Sequence, residues 1–331
     1  MSSGRAAAHL TETAQEIAAL VGAPGARFER RLQSLWGGYG EIWRVAIEGS
    51  SQTEGSTPTS VIVKRVAPPS GERGRSHERK LRSYDVERTW YRTYASECDS
   101  ECRGPSALHC SASRNRWLFV LEDLDAAGFT GRRSHLTDSE LTSCLRWLAH
   151  FHAQFLGRQP AGLWQVGSYW HLATRPDELS VLADARLREA APLLDAKLKT
   201  ARHQTFVHGD AKVENFCFGR DSVAALDFQY VGGGPGIKDV VYFLSSCLSP
   251  RQCESSAERH LATYFRELQG ALQKRRPDVD AHDVEQEWRE LYPVAWADFF
   301  RFLLGWAPGS YDRDAYSQKL TARALRALAG S

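Results

Sequence analysis

The stretch that decides the fold reads FVHGDAKVENFCF at residues 206–218 and VAALDFQ at residues 223–229. Both segments are apolar next to the break between them, and the break itself has the turn composition Gly-Arg-Asp-Ser. This pattern predicts a β-hairpin centred near residue 221. Asn215 and Asp227 stand equally far from that centre, so antiparallel pairing is expected to place them opposite one another at the open end of the hairpin.

The polar residues around this hairpin have the chemistry of phosphoryl transfer. An amide oxygen from Asn215 and a carboxylate from Asp227 are hard oxygen ligands that suit Mg²⁺. Asp210 lies five residues before Asn215, in the loop that leads into the hairpin, where a carboxylate can accept a proton from an attacking hydroxyl. Lys212 would neutralise the charge that develops on a phosphate. A metal clamp, a base and a cation are therefore predicted within 18 residues of chain.

Composition restricts the remaining classes of protein. The chain has 331 residues, of which 42% are hydrophobic and 25% are charged, as in ordinary globular proteins. Lys and Arg number 42 against 40 for Asp and Glu, which disfavours a nucleic-acid binder. No run approaches the roughly 18 apolar residues of a membrane-spanning helix, and the start lacks a secretory apolar segment. The seven Cys residues form no small-scaffold framework, so we expect a reduced, cytoplasmic protein.

The pattern of apolar residues divides the chain near residues 122–126. Before this point short β segments alternate with single helices, and after it the pattern is mostly helical. The elements predicted in the first part are a helix over 10–22, strand, glycine turn and strand over 28–47, a surface loop over 48–60, a strand over 61–66, a helix over 78–96 and a strand over 117–121. The helices predicted in the second part cover 137–155, 181–200, 255–275, 284–307 and 315–329, with one β segment over 206–230.

The catalytic motif resembles that of a known superfamily. His208-Gly-Asp210 with Asn215, followed by Asp227-Phe-Gln229, is similar to the aminoglycoside phosphotransferase and choline kinase superfamily of small-molecule kinases. Lys212 also resembles the catalytic-loop lysine of protein kinases. The resemblance implies an ATP- and Mg²⁺-dependent enzyme, with Asp210 as the base, Lys212 as a phosphate contact, and Asn215 and Asp227 as the metal ligands.

The same resemblance implies an α+β, bilobal protein-kinase-like fold. Residues 1–122 would form a β-rich nucleotide-binding lobe, 123–125 a hinge, and 126–331 a mostly helical lobe with the catalytic loop and the acceptor pocket. The Asp-Phe-Gln variant and the sequence LEDL at 121–124 are closer to the ecdysteroid-kinase-like branch than to choline kinases. The resemblance covers roughly residues 28–310.

Other nucleotide-binding positions follow from the resemblance. Lys64 would hold the α- and β-phosphates of ATP, and Glu87 in the following helix would pair with it. Glu87 is preferred to Glu78 because aromatic residues follow it in a family-like order. The hinge backbone would meet adenine, and the glycine turn would cover the phosphates. The residues concerned are Glu122, Asp123, Leu124, Gly38 and Gly40.

The predicted function is transfer of the γ-phosphate of ATP to a hydroxyl of a small molecule, with no nucleic-acid partner. An amino alcohol, an antibiotic and an apolar alcohol all remain open as acceptors, and the oligomeric state and the choice of ATP over GTP are not determined. The alternative is a nucleotide-binding pseudokinase with a regulatory or scaffold role, although pseudokinases usually lack the base or the metal Asp. A protein kinase is disfavoured because Asp-Phe-Gly and Ala-Pro-Glu are missing.

Several further residues near the catalytic motif and in the predicted helix over 137–155 are expected to have supporting roles. His208 is expected to orient the catalytic loop, with Gln229 and Asp239 supporting it through hydrogen bonds. His150 and His152 lie in an apolar helix, where core packing is the expected role.

Other features are expected to be structural. Residues 232–236, GGGPG, lack the ending of a P-loop and are interpreted as a turn. Aromatic residues over 288–306 have the spacing of a core helix, although the resembled kinases build their acceptor pocket there. A zinc site is disfavoured by the spacing of Cys98, Cys102 and Cys110.

Overall fold

A computed structural model describes residues 13–49 and 58–329, so most of the predicted 48–60 loop and the start of the predicted 10–22 helix lie outside the described residues. The chain forms two compact units. The first comprises the described residues up to Ser96 with Gly104–Gly131, and the second Glu97–Arg103 with the chain from Arg132 onward. The predicted α+β class, with a β-rich first part and a mostly helical second part, is confirmed. The predicted lobe limits and hinge stay predictions.

The first unit is built on one antiparallel sheet. Its five strands lie in the order β1-β2-β3-β5-β4. Their bounds are Gly25–Ser34 (β1), Gly40–Glu48 (β2), Ser60–Val66 (β3), Ala107–Ser113 (β4) and Arg116–Glu122 (β5). Val61, Val63 and Val120 bury the same face of the sheet with Val45 and with Ile17 from helix α1 (residues 13–20). This alternation of β-branched residues is what a half-buried strand requires. Strand β4 escaped the sequence analysis because Ala, His, Cys and Ser give it no β-branched residue.

One long helix accompanies this sheet. Helix α2 covers Arg75–Thr89 and continues through a π-type turn over Trp90–Tyr94. The helix predicted over 78–96 is therefore present, and it starts three residues earlier than predicted. Its inner face carries Tyr84, Val86 and Glu87, all of which are buried.

Seven helices within the described residues build most of the second unit. They are α3 (Asp138–Gln154), α4 (Pro176–Ser180), α5 (Ala185–Lys199), α6 (Ile237–Cys247), α7 (Pro250–Arg275), α8 (Ala281–Trp306) and α9 (Ala315–Ala329). Capping boxes fix the starts of α3 and α7, where Thr137 and Ser249 each accept a hydrogen bond from the backbone three residues on. Helices α4 and α6 were not predicted: α4 has only five residues, and the eight buried residues that begin α6 include the polar residues Lys238 and Asp239. None of the helices in the described part of the chain is long and apolar enough to cross a membrane.

Two short antiparallel pairs complete the second unit. Strand β6 (Thr205–Val207) pairs with β9 (Gly232–Gly234), and β7 (Phe216–Phe218) pairs with β8 (Val223–Ala225). The interpretation of 232–236 as a turn is wrong, since its first three residues form β9. Glycine is required there because a Cβ on Gly232 would lie 2.2 Å from the carbonyl oxygen of Trp164. The run therefore allows two segments to pack closely, and its composition alone suggests only flexibility.

Two glycines inside helices should respond oppositely to alanine. A Cβ on Gly305 would lie 1.9 Å from the Glu178 carbonyl oxygen, whereas nothing lies within 4 Å of a Cβ on Gly270. We expect Gly305→Ala to destabilise the protein by about 1–3 kcal/mol. Gly270→Ala should stabilise it by about 0.5–1 kcal/mol. Urea unfolding measures both, and a stable Gly305→Ala protein would contradict the close approach of α8 to α4.

Candidate active site

The catalytic hairpin is present, but its register differs from the predicted one. Phe216 pairs with Ala225, so the hairpin centre lies between residues 220 and 221. The Leu226 amide donates to the Asn215 carbonyl oxygen at 2.8 Å, which places Asn215 opposite Leu226. The prediction that Asn215 faces Asp227 is wrong by one residue. Asp227 follows the pairing with a left-handed φ of 64°, where the backbone leaves the strand direction.

A fully buried carboxylate anchors the loop that precedes this hairpin. The backbone amides of His208 and Gly209 donate to Asp239 at 2.6 and 2.9 Å. The same carboxylate lies 3.1 Å from Nε2 of His152, whose Nδ1 is 2.8 Å from the Tyr264 hydroxyl. The support predicted for Asp239 is confirmed. His152 does more than pack the core, because it links α3 to the carboxylate of α6.

The His208 ring connects the loop to the strand that leads to Asp227. Its Nε2 lies 2.9 Å from the Leu226 carbonyl oxygen and therefore donates. Its Nδ1 then accepts from the Asp210 amide at 3.3 Å. Burial lowers the pKa of His208, which favours this neutral ring. The predicted orienting role of His208 is confirmed, since one ring fixes the backbone on either side of the hairpin.

Asp210 lies in a polar but almost closed environment. The Asn215 amide nitrogen donates to Asp210 Oδ2 at 2.9 Å and to the Asp210 carbonyl oxygen at 2.7 Å. Lys212 Nζ lies 3.6 Å from the same Oδ2. Burial raises the pKa of Asp210 to about 7, with Lys212 lowering it and the charge of Asp227 raising it. The structure therefore brings the predicted base, cation and amide ligand together.

The donor set of this site fits a magnesium ion. Because the Asn215 amide nitrogen faces Asp210, its amide oxygen points elsewhere and remains an oxygen ligand. Asp227 lies close enough for its charge to act on Asp210 and supplies a carboxylate. An amide oxygen and a carboxylate are the ligands Mg²⁺ uses when phosphates and waters complete its shell. The assignment of both residues as metal ligands stays a prediction.

A second group of predicted residues lies in the first unit. Lys64 is in the central strand β3, and its Nζ lies 2.9 and 2.7 Å from the two carboxylate oxygens of Glu87. Both side chains are buried, and the ammonium also lies 5.7 and 5.8 Å from the ring centres of Tyr84 and Phe119. Glu78, the alternative partner, is exposed on the first turn of α2. The pair of Lys64 with Glu87 is present, and its role toward a nucleotide stays a prediction.

The predicted hinge residues use their side chains within the first unit. Asp123 accepts from the Ser60 hydroxyl at 2.8 Å and from Arg44 Nη2 at 3.2 Å. Glu122 Oε2 accepts from the Ser106 amide at 3.0 Å. The carboxylates of Glu122 and Asp123 are thus engaged within the unit, and contact of the backbone of Glu122, Asp123 and Leu124 with adenine stays a prediction.

The glycine turn joins β1 to β2. Gly38 has a φ of 72° and Gly40 a φ of 149°, both outside the range that other residues readily adopt. The Leu35 amide donates to the Gly40 carbonyl oxygen at 2.8 Å, which closes the turn. Phosphate binding by this turn stays a prediction.

Sequence reasoning missed Tyr242 and the linking role of His152. Tyr242 lies on α6; burial raises the pKa of its hydroxyl, and the nearby charge of Asp210 raises it further. The helical period of α3 does place His152 on its buried face, but only the fold shows that Asp239 lies opposite.

Two family models match overlapping parts of the chain. The model described as the phosphotransferase enzyme family matches residues 118–278, and the ecdysteroid kinase-like family matches residues 39–157. The phosphotransferase match contains the catalytic loop and hairpin, and the other contains Lys64 and Glu87. No curated protein sequence matches the chain.

Solved structures of small-molecule kinases share the fold. An aminoglycoside phosphotransferase mutant in a ternary complex with ADP and hygromycin B is 13% identical, with a TM-score of 0.51 over 97% of this chain and 100% of that one. An amicoumacin kinase with AMP-PNP, Ca²⁺ and its antibiotic is 15% identical, with a TM-score of 0.53 over 99% and 96%. The choline kinase of Cryptosporidium parvum Iowa II is 10% identical, with a TM-score of 0.54 over 96% and 94%. At these identities the likeness concerns the fold.

These findings confirm the superfamily that the sequence resembles and the protein-kinase-like fold. The class of protein that both family matches indicate is that of small-molecule kinases, phosphotransferases whose acceptor is a hydroxyl group.

Breaking the buried Lys64–Glu87 pair should destabilise the protein more than breaking an exposed pair of the same unit. Lys64→Met leaves the Glu87 carboxylate buried without its cation and should lower the free energy of unfolding by about 3–5 kcal/mol. Adding Glu87→Gln should restore at least half of that loss. The control is Arg31→Met, which breaks the exposed 2.7 Å pair with Glu41 and should cost less than about 1 kcal/mol. Equal losses in urea unfolding would contradict this difference.

Asp239→Asn should disturb the catalytic loop itself. An amide replaces the carboxylate that accepts from His208, Gly209 and His152, and we expect a loss of about 3 kcal/mol in stability. Turnover should fall while ATP affinity, measured by calorimetry, stays within twofold, because the loop carries Asp210. Tyr264→Phe removes the outermost bond of the same chain and should cost about 1 kcal/mol with little change in turnover. Unchanged turnover in Asp239→Asn would show that the loop does not depend on this anchor.

Proposed function

We propose that the protein transfers the γ-phosphate of ATP to a hydroxyl group of a small molecule. The observation that carries this proposal is the environment of Asp210, a buried carboxylate held by the Asn215 amide and next to Lys212. In the transfer, a bond forms between the acceptor oxygen and the γ-phosphorus, and the bond from that phosphorus to the β-phosphate oxygen breaks. ADP leaves, and the hydroxyl proton passes to Asp210.

The surroundings of Asp210 suit the binding and orientation of a hydroxyl group. Asn215 holds Oδ2, and the His208 ring holds the backbone, so the carboxylate presents one defined face. A base works best when its pKa is near the operating pH, and burial brings the pKa of Asp210 to about 7. Lys212 would stabilise negative charge on the transferred group.

The nucleotide would be held by the residues that the family resemblance assigns to it. Lys64, kept in place by Glu87, would contact the α- and β-phosphates, the backbone at 122–124 would meet adenine, and the turn with Gly38 and Gly40 would cover the phosphates. Asn215 and Asp227 would hold Mg²⁺, which when bound neutralises phosphate charge. Structural neighbours bound to ADP with hygromycin B, or to AMP-PNP with Ca²⁺, support a nucleotide and a divalent cation here.

The presence of the complete set of residues argues against the pseudokinase alternative. Asp210, Asn215, Asp227 and Lys64 are all present, and the first two are in direct contact. We also propose a cytoplasmic location, and we assign no cellular role to the acceptor.

Asp210→Asn should separate phosphate transfer from nucleotide binding. We expect Mg²⁺-dependent ADP release with a panel of small alcohols to fall at least about 10²-fold, the usual contribution of a positioned base. ATP affinity should stay within threefold. The matched control is Asp221→Asn, since Asp221 is exposed at the tip of the same hairpin. Full activity in Asp210→Asn would contradict the assignment of Asp210 as the base. ATP binding without transfer in the wild type would favour the pseudokinase.

A further inference from the structure

Five aromatic rings pack together beside the proposed base. We call this cluster the aromatic wall, and its members are Tyr169, Trp170, Tyr242, Phe299 and Phe302. The ring centre of Tyr169 lies 5.4 Å from that of Tyr242 and 5.2 Å from that of Phe302. Trp170 and Tyr242 are 5.1 Å apart, and each lies 5.0 Å from Phe299. The rings therefore cover much of one another's faces and edges.

The aromatic wall adjoins Asp210 through two contacts. The Tyr169 amide donates to the carbonyl oxygen of Gly209, the residue before Asp210, at 3.0 Å. The second is electrostatic, because burial and then the charge of Asp210 raise the pKa of Tyr242, whose hydroxyl therefore lies near that carboxylate. An acceptor whose hydroxyl meets Asp210 would consequently place its neighbouring atoms near this wall.

A cation already occupies the outer side of the wall. The Arg175 guanidinium lies 5.6 Å from the ring centre of Tyr169 and 5.4 Å from that of Phe302. Its Nε donates to the Tyr169 carbonyl oxygen at 2.9 Å, and its Nη1 lies 3.1 Å from Glu178. Only 16% of the Arg175 side chain is exposed. The guanidinium is thus built into the wall and is balanced by one carboxylate.

This arrangement is unfavourable to a second positive charge. An ammonium group gains from an aromatic ring by facing it, and on these rings the guanidinium takes that position. Two cations near the same rings repel each other, and the repulsion is strong where water is largely excluded. The carboxylate of Glu178 is already paired with Arg175 and offers the acceptor no counter-charge.

A cavity that shares Phe299 with the wall has a largely apolar lining with one charged residue of each sign. It has a volume of about 390 Å³, Phe299 forms part of its lining, and Trp296, Leu303 and Tyr311 contribute further apolar surface. Its carboxylate, Asp314, accepts from the Ser317 amide at 3.0 Å and from the Ser317 hydroxyl at 2.6 Å. That carboxylate caps the start of α9, and the adjacent Arg313 adds a positive charge to the same lining.

We propose that the acceptor is an uncharged alcohol and that Arg175 is the residue that discriminates against cationic acceptors. This inference rests on the proposed function and narrows its acceptor. It distinguishes the chain from kinases that act on amino alcohols, since a positive charge beside the hydroxyl would meet Arg175.

The test compares two alcohols of the same shape, choline and its carbon isostere 3,3-dimethylbutan-1-ol. Phosphate monoester formation with Mg²⁺ and ATP is followed by mass spectrometry on the full chain. We expect kcat/KM for the uncharged alcohol to exceed that for choline by about tenfold or more. Equal rates, or preference for choline, would overturn the proposal.

Variants of Arg175 show whether this residue causes the preference. Arg175→Gln should reduce the ratio at least about fivefold, whereas Arg175→Lys keeps the charge and should keep the ratio. The control is Arg289→Gln, because Arg289 also lies over a ring, 4.6 Å from that of Phe265, and pairs with Glu285. A ratio unchanged by Arg175→Gln, or changed as much by Arg289→Gln, would overturn the role of Arg175.

The remaining outcomes separate this proposal from the proposed function. If neither probe is phosphorylated but an ammonium-bearing member of the panel is, the uncharged acceptor is wrong while the kinase stands. If neither probe is phosphorylated but an uncharged panel member is, the acceptor class is supported, and the variants are compared with that compound and its amine analogue. If no alcohol accepts phosphate, the proposed function itself fails.

Discussion

The carboxylate of Asp239 is the contact on which the arrangement of the site depends. It accepts two consecutive backbone amides of the catalytic loop and holds the His152 ring, all in a fully buried position. A charged acceptor can satisfy several donors without water, and its bonds are stronger than those of a neutral group. The loop, helix α6 and helix α3 are consequently fixed to one point. Asp210, one residue beyond the anchored amides, inherits its position from them.

Buried charge has a different purpose in the first unit. Lys64 and Glu87 are removed from water, and such a pair gains little stability over an apolar pair of similar size. Its value lies in geometry, because two short contacts fix the ammonium in the middle of a rigid sheet. A flexible lysine is thereby held in one conformation, as its proposed role toward phosphates requires.

The second unit combines this rigid loop with an unusually aromatic surrounding. Rings from α8 and from the segment after α3 pack around Tyr242 of α6, so the proposed acceptor wall belongs to the same core that supports the helices. Because the Arg175 guanidinium packs against two of these rings, the aromatic wall includes a positively charged group. Core packing and an acceptor wall, which were alternatives for the aromatic residues over 288–306, are therefore compatible descriptions of Phe299 and Phe302.

Local patterns alone determined the elements with strong periodicity. The β-branched run of β3, the capping boxes of α3 and α7 and the glycine turn between β1 and β2 are encoded within short windows, and the predicted strands and helices follow them. The motif around Asp210 was recognisable because the residue types and spacing of phosphoryl transfer are restrictive. Signals were missing for β4, which has no β-branched residue, and for α4, which has only five residues.

Tertiary structure decided what spacing could not. A shift of one residue in a two-stranded pairing leaves composition unchanged, so the sequence could not show that Asn215 faces Leu226. The same holds for β9, since three glycines form a strand only because Trp164 and Gly167 pack too close for side chains. The roles of His152, Tyr242 and Arg175 depend on partners 32 to 127 residues away in the sequence, Asp239, Asp210 and Phe302, and the smallest of these separations still exceeds any local window. Local chemistry determined which groups the chain possesses, whereas packing determined which of them meet, because contacts between distant segments are fixed only when the whole core forms.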